Sequence, residues 1–275
     1  MRKNFYVDDL LKSVEDETKA CSLWSRIEAM CKAGGFNLTK VVSNSEKLIS
    51  SIPVDKRAQS MQIFELVEKM PLERALGVHW SIENDSFQFR ITIDNCSLTR
   101  RSILSCVSSI YDPLGLVSPF LLAGRKILQE ITADKYSWDD PVSEEHQKAC
   151  LQWRSSLPLL GEISISRCLK PAEFGDISDM SLHSFSDASL YGYGQATYLR
   201  CESKTGKVAV SLIMGKSRVA PIKPITIPRL ELTAALLSCR IATLVKKELE
   251  MDDITETYWV DSQIVLGYLK NDTRR

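Results

Sequence analysis

The sequence lacks the features that mark a metal-thiolate site, a membrane anchor or a secreted protein. Its eight cysteines include no Cys-x-x-Cys pair, and with only three histidines there is no Cys/His cluster, so a zinc site is not predicted. No apolar run is long enough to span a bilayer, and no signal peptide is expected from the sequence. We therefore expect reduced thiols in an intracellular protein, cytoplasmic or nuclear, with no membrane partner and no small-molecule cofactor.

Charge is balanced over the whole chain but not along it. Thirty-five basic and thirty-five acidic residues give a formal net charge of zero, so overall charge does not predict nucleic-acid binding. Residues 201–247 nevertheless contain nine basic and two acidic side chains, a local excess of seven positive charges. This stretch is either a surface that contacts a phosphate backbone, with Lys216, Arg218 and Arg229 as candidate contacts, or an ordinary solvated surface.

Three acidic residues lie where predicted strands and a helix begin or end. Asp187 lies at a turn between two predicted strands, 182–189 and 190–198, whose apolar residues largely alternate. Glu231 lies early in a helix predicted to start near Pro228 and to continue through residue 249. Asp261 ends the predicted strand 257–261, just before a helical stretch. The pattern predicts a mixed sheet with helices, an α/β (α+β) fold.

This order of strands, helix and acids resembles ribonuclease H. In that family, acids on the first strand, on the first helix and at the end of the fourth strand bind two Mg²⁺ ions. The resemblance implies that Asp187 in Phe-Ser-Asp-Ala-Ser, Glu231 in Pro-Arg-Leu-Glu-Leu and Asp261 in Trp-Val-Asp-Ser are the catalytic metal ligands, with an RNA–DNA hybrid as substrate. Carboxylates suit this chemistry because Mg²⁺ prefers oxygen ligands. Each acid alone also has a structural explanation, as a turn residue, a helix-dipole partner and an N-cap respectively.

A second motif, Tyr6-Val7-Asp8-Asp9, lies between apolar residues and predicts a hairpin with two adjacent carboxylates at its tip. It resembles the Tyr-x-Asp-Asp motif of reverse transcriptases, which implies that Asp8 and Asp9 bind catalytic Mg²⁺. The alternative is that the acids cap a helix.

The segments that follow this motif are similar to the end of a polymerase palm. A helix is predicted from Asp16 or Thr18 to Gly34, then a strand at 36–44 that carries Lys40. The resemblance places Lys40 near the incoming triphosphate, whereas a solvent-facing lysine is the commoner case. Strands at 76–80 and 87–93 resemble the primer-gripping hairpin of that family.

The middle of the chain has the most distinctive sequence, Tyr-Asp-Pro-Leu-Gly-Leu-Val-Ser-Pro-Phe at 111–120. With predicted helices at 98–110, 116–131 and 143–157, it resembles the segment between polymerase and ribonuclease H in BEL/Pao-type retrotransposons. That region is also catalogued as a retrotransposon peptidase. The sequence contains no Asp-Thr-Gly or Asp-Ser-Gly loop of an aspartic peptidase, so peptidase chemistry is not predicted.

The resemblance predicts four parts of a retrotransposon Pol polyprotein. They are a reverse-transcriptase palm remnant (1–95), a helical thumb or connection region (96–157), an extended linker rich in Pro and Gly (158–181) and a C-terminally truncated ribonuclease H-like domain (182–275). We expect the remainder of the polyprotein and a nucleic acid as partners, and no polymerisation by this chain alone. The alternatives are a non-catalytic nucleic-acid-binding relic and an inert truncated reading frame.

Overall fold

The computed structural model describes residues 4–7, 9–62, 72–75, 78–91, 97–171 and 173–271, and the chain divides into two compact units. The first contains Met1–Gln88 and Ser164–Arg167, and the second contains Phe89–Ile163 and Cys168–Arg275. Helices and β-sheets are mixed in the described residues, so the predicted α/β (α+β) class is confirmed. No helix among them is both long enough and apolar enough to cross a bilayer.

The described part of the first unit combines short helices with antiparallel sheets. Its α-helices are α1 (Glu17–Ala33), α2 (Glu46–Ser51) and α3 (Gln59–Gln62). Its strands are β1 (Phe5–Tyr6), β2 (Asp9–Leu10), β3 (Leu72–Ala75), β4 (Val78–Ser81), β5 (Ser86–Gln88) and β6 (Ser164–Ser166). Strands β3 to β6 form one sheet in that order.

Two predictions for the first unit are confirmed in the described residues. Helix α1 begins after Asp16, which accepts a hydrogen bond from the Lys19 amide at 2.7 Å, and it ends at Gly34. Strands β1 and β2 form the hairpin expected around the Asp-Asp pair, with Tyr6 opposite Asp9. Asp8 lies outside the described residues, so the metal-binding role of the pair stays a prediction.

The predicted strand at 36–44 is wrong. The only pairing described there is an isolated bridge between Val41 and Arg57. Lys40 has a φ of 57°, a left-handed conformation that interrupts an extended strand. The predicted pair at 76–80 and 87–93 corresponds to β4 and β5, but β5 ends at Gln88.

The second unit is built around a four-stranded sheet. Its strands are β7 (Ile177–Ala188), β8 (Gly192–Ser203), β9 (Val208–Val219) and β10 (Thr255–Trp259), in the order β10-β7-β8-β9. Strand β10 is parallel to β7, and the other neighbours are antiparallel. Its helices are α4 (Arg100–Ser109), α5 (Ser118–Ala133), α6 (Glu144–Ser156), α7 (Ile227–Leu249) and α8 (Gln263–Lys270). Helices α4 to α6 lie within two residues of their predicted limits.

Helix α7 packs against one face of this sheet. Leu182 of β7 and Leu199 of β8 form a core cluster with Ile241 and Val245 of α7. The buried positions of α7 recur every three or four residues, which is the pattern of a helix with one apolar face. This packing fixes the position of α7 relative to the strands that carry the predicted acids.

Residues 158–181 differ from the extended linker that their Pro and Gly content predicts. A 3₁₀ helix covers Leu157–Glu162, β6 follows, and β7 already begins at Ile177. The buried side chains of Leu160 and Phe174 show why the segment is ordered. The domain limits at 95, 157 and 181 stay predictions.

The loop between α4 and α5 is closed by one aspartate. The two carboxylate oxygens of Asp112 accept hydrogen bonds from the amides of Leu116 and Val117, at 2.8 and 3.0 Å. These bonds satisfy amides just before α5, which begins at Ser118. The loop 112–118 is therefore a defined turn.

This loop packs directly on strand β9. The Leu114 carbonyl accepts a hydrogen bond from the Gly215 amide at 2.8 Å, and the Ser118 carbonyl accepts one from the Ser217 hydroxyl at 3.1 Å. Gly115 has a φ of 71°, and a Cβ there would lie 2.0 Å from the Gly215 carbonyl oxygen. The two backbones meet at a distance that only glycine allows.

Candidate metal centre

Asp187 and Asp261 lie beside each other because β7 and β10 are parallel. Phe185 of β7 is opposite Trp259 of β10. Two residues further along each segment, the chain reaches Asp187, the penultimate residue of β7, and Asp261, just after β10. Parallel pairing therefore brings both aspartates to the same end of the sheet.

Helix α7 supplies the third acid. The helix begins at Ile227 with Pro228 near its start, so Glu231 is its fifth residue and lies just after the first turn. Carboxylate oxygens of Asp187, Glu231 and Asp261 all lie within 4.8 Å of one another. The structure thus brings the three predicted acids together from two strands and a helix.

The arrangement fits a hard divalent cation. Mg²⁺ binds oxygen at about 2.0–2.1 Å, so two oxygens on opposite sides of one ion are about 4 Å apart. The 4.8 Å spread is close to this distance, and the exposed side chain of Asp261 can rotate to reduce the difference. Carboxylates at such distances repel one another, and a bound cation offsets that repulsion.

Hydrogen bonds orient two of the acids. The Asp187 carboxylate accepts a bond from the Ala188 amide at 2.7 Å. Glu231 Oε2 accepts one from the Ser262 hydroxyl at 2.5 Å. Ser262 is also the N-cap of α8, so the alternative that Asp261 caps this helix is wrong. Sequence reasoning missed the Ser262 contact, although a serine directly before a helix is a recognisable N-cap.

An exposed aromatic pair lies next to the acids. The rings of Phe185 and Trp259 stack with centroids 5.9 Å apart and planes 10° apart. The Trp259 indole N–H donates to His183 Nδ1 at 3.1 Å. Both stacked rings line a cavity of about 590 Å³ with Asp187 and Asp261. The site therefore offers an aromatic surface beside its carboxylates, which the sequence did not reveal.

A second cavity lies on another side of Asp187. It has a volume of about 440 Å³ and is bounded by Leu116 and Leu122, from the loop 112–118 and from α5, and by Ser217 of β9. Helix α5 also contacts the turn after β7, where Lys126 Nζ lies 4.0 Å from the centre of the Tyr191 ring. The loop 112–118 and α5 therefore form a wall of the site.

An ion pair between Lys246 of α7 and Glu256 of β10 connects the helix to the strand. Lys246 Nζ lies 2.6 Å from Glu256 Oε1, and the Tyr258 hydroxyl donates to the other oxygen of Glu256. The hydrogen bond from Lys246 lowers the pKa of the Glu256 carboxyl, assisted by the bond from Tyr258. Burial raises the pKa of the Tyr258 hydroxyl, and its bond to Glu256 raises it further. These contacts hold the strand that leads to Asp261.

The predicted basic contacts are exposed. Lys216 and Arg218 lie on β9, opposite Gln195 and Tyr193 of β8. Arg229 lies in the first turn of α7, two residues before the metal-ligand candidate of that helix. Exposure leaves these three side chains available to a phosphate backbone, and the contacts themselves stay predictions.

The other predicted site residues belong to the first unit. Asp9 is exposed in the short hairpin, and Lys40 is exposed outside any strand. Neither belongs to the acid cluster of the second unit.

Comparison with known families agrees with this architecture. The family model for the Pao retrotransposon-like RNaseH-like domain matches residues 99–262, which include the loop 112–118, the four-stranded sheet and all three clustered acids. No curated protein matches the sequence. Because the match covers more than half of the 275 residues, the chain belongs to the family of Pao retrotransposon-like RNaseH-like domains.

Proposed function

We propose that this chain is a fragment of a retrotransposon polyprotein whose ribonuclease H-like unit hydrolyses the RNA strand of an RNA–DNA hybrid with Mg²⁺. The observation that carries the proposal is the convergence of Asp187, Glu231 and Asp261 within 4.8 Å. The family supports it, because ribonuclease H-like domains generally use divalent metals and bind nucleic acid.

The proposed roles follow from the position of each acid. Asp187, Glu231 and Asp261 would hold Mg²⁺ through their carboxylate oxygens. The chemistry that Mg²⁺ supplies when bound is activation of water and stabilisation of the leaving oxygen of a phosphodiester. The exposed Asp187 and Asp261 leave one side open to a phosphodiester, while the half-buried Glu231 is fixed by its hydrogen bond. Phe185 and Trp259 offer ring faces against which a base or sugar can pack.

The experiment is cleavage of a labelled RNA–DNA hybrid by the full chain with Mg²⁺. Asp187→Asn and Asp261→Asn remove metal-binding charge while keeping side-chain size, so each should abolish cleavage. Asp252→Asn changes an exposed acid in the turn before β10 and is the matched control. Cleavage that persists in both site variants would remove the basis of the assignment.

Metal binding is measured separately from cleavage with Tb³⁺, a hard cation that indole groups sensitise. Trp259 lines the same cavity as Asp187 and Asp261, so Tb³⁺ luminescence should appear on binding and fall when Mg²⁺ competes. Asp187→Asn should weaken Tb³⁺ binding, and Trp259→Phe should reduce the luminescence. Equal Tb³⁺ affinity in the parent chain and Asp187→Asn would contradict a metal site here.

A second candidate function is binding of the hybrid without cleavage. The exposed Lys216, Arg218 and Arg229 favour it. Affinity should fall steeply with added salt, and replacing one phosphate-contacting residue with alanine should reduce the slope of log K against log salt by about one. Binding without turnover at saturating Mg²⁺ would favour this function over hydrolysis.

We also propose that the first unit descends from the end of a reverse-transcriptase palm, with Asp8 and Asp9 as its metal ligands and Lys40 near the triphosphate. The hairpin of β1 and β2, helix α1 and the paired strands β4 and β5 occur in the predicted order. A deoxynucleoside triphosphate with Mg²⁺ should then slow hydrogen exchange at residues 5–10. No protection there would contradict the assignment.

A further inference from the structure

Ser262 makes two hydrogen bonds that join separate parts of the second unit. Its hydroxyl donates to Glu231 Oε2 of α7 at 2.5 Å, and the same oxygen accepts a bond from the Val265 amide in α8 at 3.4 Å. A serine hydroxyl has one hydrogen to donate and lone pairs to accept with, so both bonds can form together. Ser262 therefore connects the start of α8 to an acid 31 residues earlier.

The position of Ser262 is fixed by its surroundings. It is half-buried, and Val265, whose amide it caps, is completely buried. Asp261 directly precedes Ser262 in the chain, so the same short segment carries one acid of the cluster and the hydrogen-bond donor to another. Any movement of this segment would displace Asp261 and release Glu231 at once.

The Glu231 carboxylate needs such a donor. It lies within 4.8 Å of two other carboxylates, whose repulsion favours rotation of its side chain away from the cluster. A bond from the Ser262 hydroxyl to Oε2 holds the side chain in place, and the carboxylate keeps lone pairs that can bind a cation. Holding a ligand before the cation arrives reduces the ordering that binding requires, and loss of a partner of this kind typically weakens metal affinity about 10- to 100-fold.

We propose that Ser262 is a positioning residue that sets the affinity of the acid cluster for divalent cations by holding Glu231 in its ligand orientation. This inference rests on the proposed function, because it takes the three acids as metal ligands. In this proposal Ser262 acts through Glu231 and is not itself a ligand of the cation.

The test is Tb³⁺ luminescence of the full chain with Mg²⁺ competition, on variants whose folding is checked by circular dichroism. Ser262→Ala removes both hydrogen bonds and should weaken cation affinity about 10- to 100-fold. Ser262→Gly also lacks the donor, but glycine caps a helix almost as well as serine, so its affinity should fall as far. Ser262→Thr keeps the hydroxyl and should restore the affinity.

Ser143→Ala is the matched control for loss of a helix cap. Ser143 caps α6 in the same unit, where it accepts a hydrogen bond from the His146 amide at 3.4 Å. This variant should lose stability but keep the parent cation affinity. A reduced affinity in Ser143→Ala equal to that of Ser262→Ala would mean that general destabilisation is the cause, and the inference would be overturned.

The outcomes separate the inference from the proposed function. If Ser262→Ala and Ser262→Gly bind Tb³⁺ as tightly as the parent chain while Asp187→Asn does not, the positioning role is wrong and the metal site stands. If Asp187→Asn also binds as tightly as the parent chain, both proposals fail. A kinetic readout adds detail, because hybrid cleavage by Ser262→Ala should recover at high Mg²⁺, whereas cleavage by Asp187→Asn should not.

Discussion

Replacement of Gly115 by alanine should strongly destabilise the second unit, because this residue touches the backbone of β9. The new Cβ would lie 2.0 Å from the carbonyl oxygen of Gly215 and 2.9 Å from the Ser118 hydroxyl oxygen. Neither the strand nor the loop can accept an atom at such distances without moving. The hydrogen bond from the Gly215 amide to the Leu114 carbonyl would be stretched or lost.

Three effects add to the size of the change. The φ of 71° at Gly115 costs alanine about 1–2 kcal/mol. Loss of one backbone hydrogen bond costs about 0.5–1.5 kcal/mol, and the forced shift in packing costs about 1–3 kcal/mol. The free energy of unfolding should therefore fall by about 2.5–6.5 kcal/mol, and the melting temperature by roughly 5–26 °C.

Gly206→Ala is a control for backbone strain alone. Gly206 has a φ of 80°, but nothing lies within 4 Å of the position that an added methyl group would take, so this change should cost only about 1–2 kcal/mol. Gly215→Ala tests the contact from the other side, because its Cβ would lie 2.5 Å from the Gly115 carbonyl oxygen without a positive φ. Urea unfolding followed by circular dichroism compares the three variants.

Equal losses of stability in Gly115→Ala and Gly206→Ala would refute the reasoning. In that case the cost would come from the left-handed conformation alone, and the loop 112–118 would not be packed on β9. A neutral Gly215→Ala would lead to the same conclusion.

Three further predictions concern the core, the loop and the acid side of the stability profile. Leu182→Ala should lower the free energy of unfolding by about 2–5 kcal/mol, measured by urea unfolding, because this side chain is only 1% exposed. An unchanged urea midpoint would mean that Leu182 does not contribute to the core. Asp112→Asn replaces one of the two acceptor oxygens with an NH₂ group that faces a backbone amide. It should lower the free energy of unfolding by about 1–3 kcal/mol, also measured in urea. A neutral effect would mean that water satisfies the loop amides instead. The pKa of Glu256 lies below its ordinary value of 4.5, so its stabilising effect is complete above that value and is lost as pH falls through the lower folded pKa. Glu256→Gln should therefore flatten the decline in unfolding free energy as the pH falls below about 4.5. An unaltered decline would show that the pair with Lys246 contributes nothing.

Local patterns in the sequence were enough to place the main elements of the second unit. The apolar spacing and Pro228 predicted a helix near its observed limits, Ile227–Leu249. Alternation around Asp187 predicted two paired strands, and these are β7 and β8. The convergence of the three acids was predicted from the resemblance to ribonuclease H. That resemblance depended on the order of strands, helix and acids along the chain, which the structure reproduces.

The features that sequence reasoning missed are contacts between residues far apart in the chain. Ser262 and Glu231 are 31 residues apart, and Phe185 and Trp259 meet only because β7 and β10 are neighbours. The strand predicted around Lys40 failed for a local reason, because one left-handed residue ended the extended conformation. Periodicity describes which face of an element is buried, and it does not specify which partner covers that face.

The packing of the loop on β9 also has a consequence for self-association. Strand β9 is one of the two outer strands of the four-stranded sheet in the described structure, and an outer strand offers unpaired amides to a neighbouring molecule. The Gly215 amide already donates a hydrogen bond to the Leu114 carbonyl, so it is not available for pairing with another molecule in that half of the strand. Val208 and Val210 in the other half are 52% and 61% exposed, so strand addition between molecules should begin there.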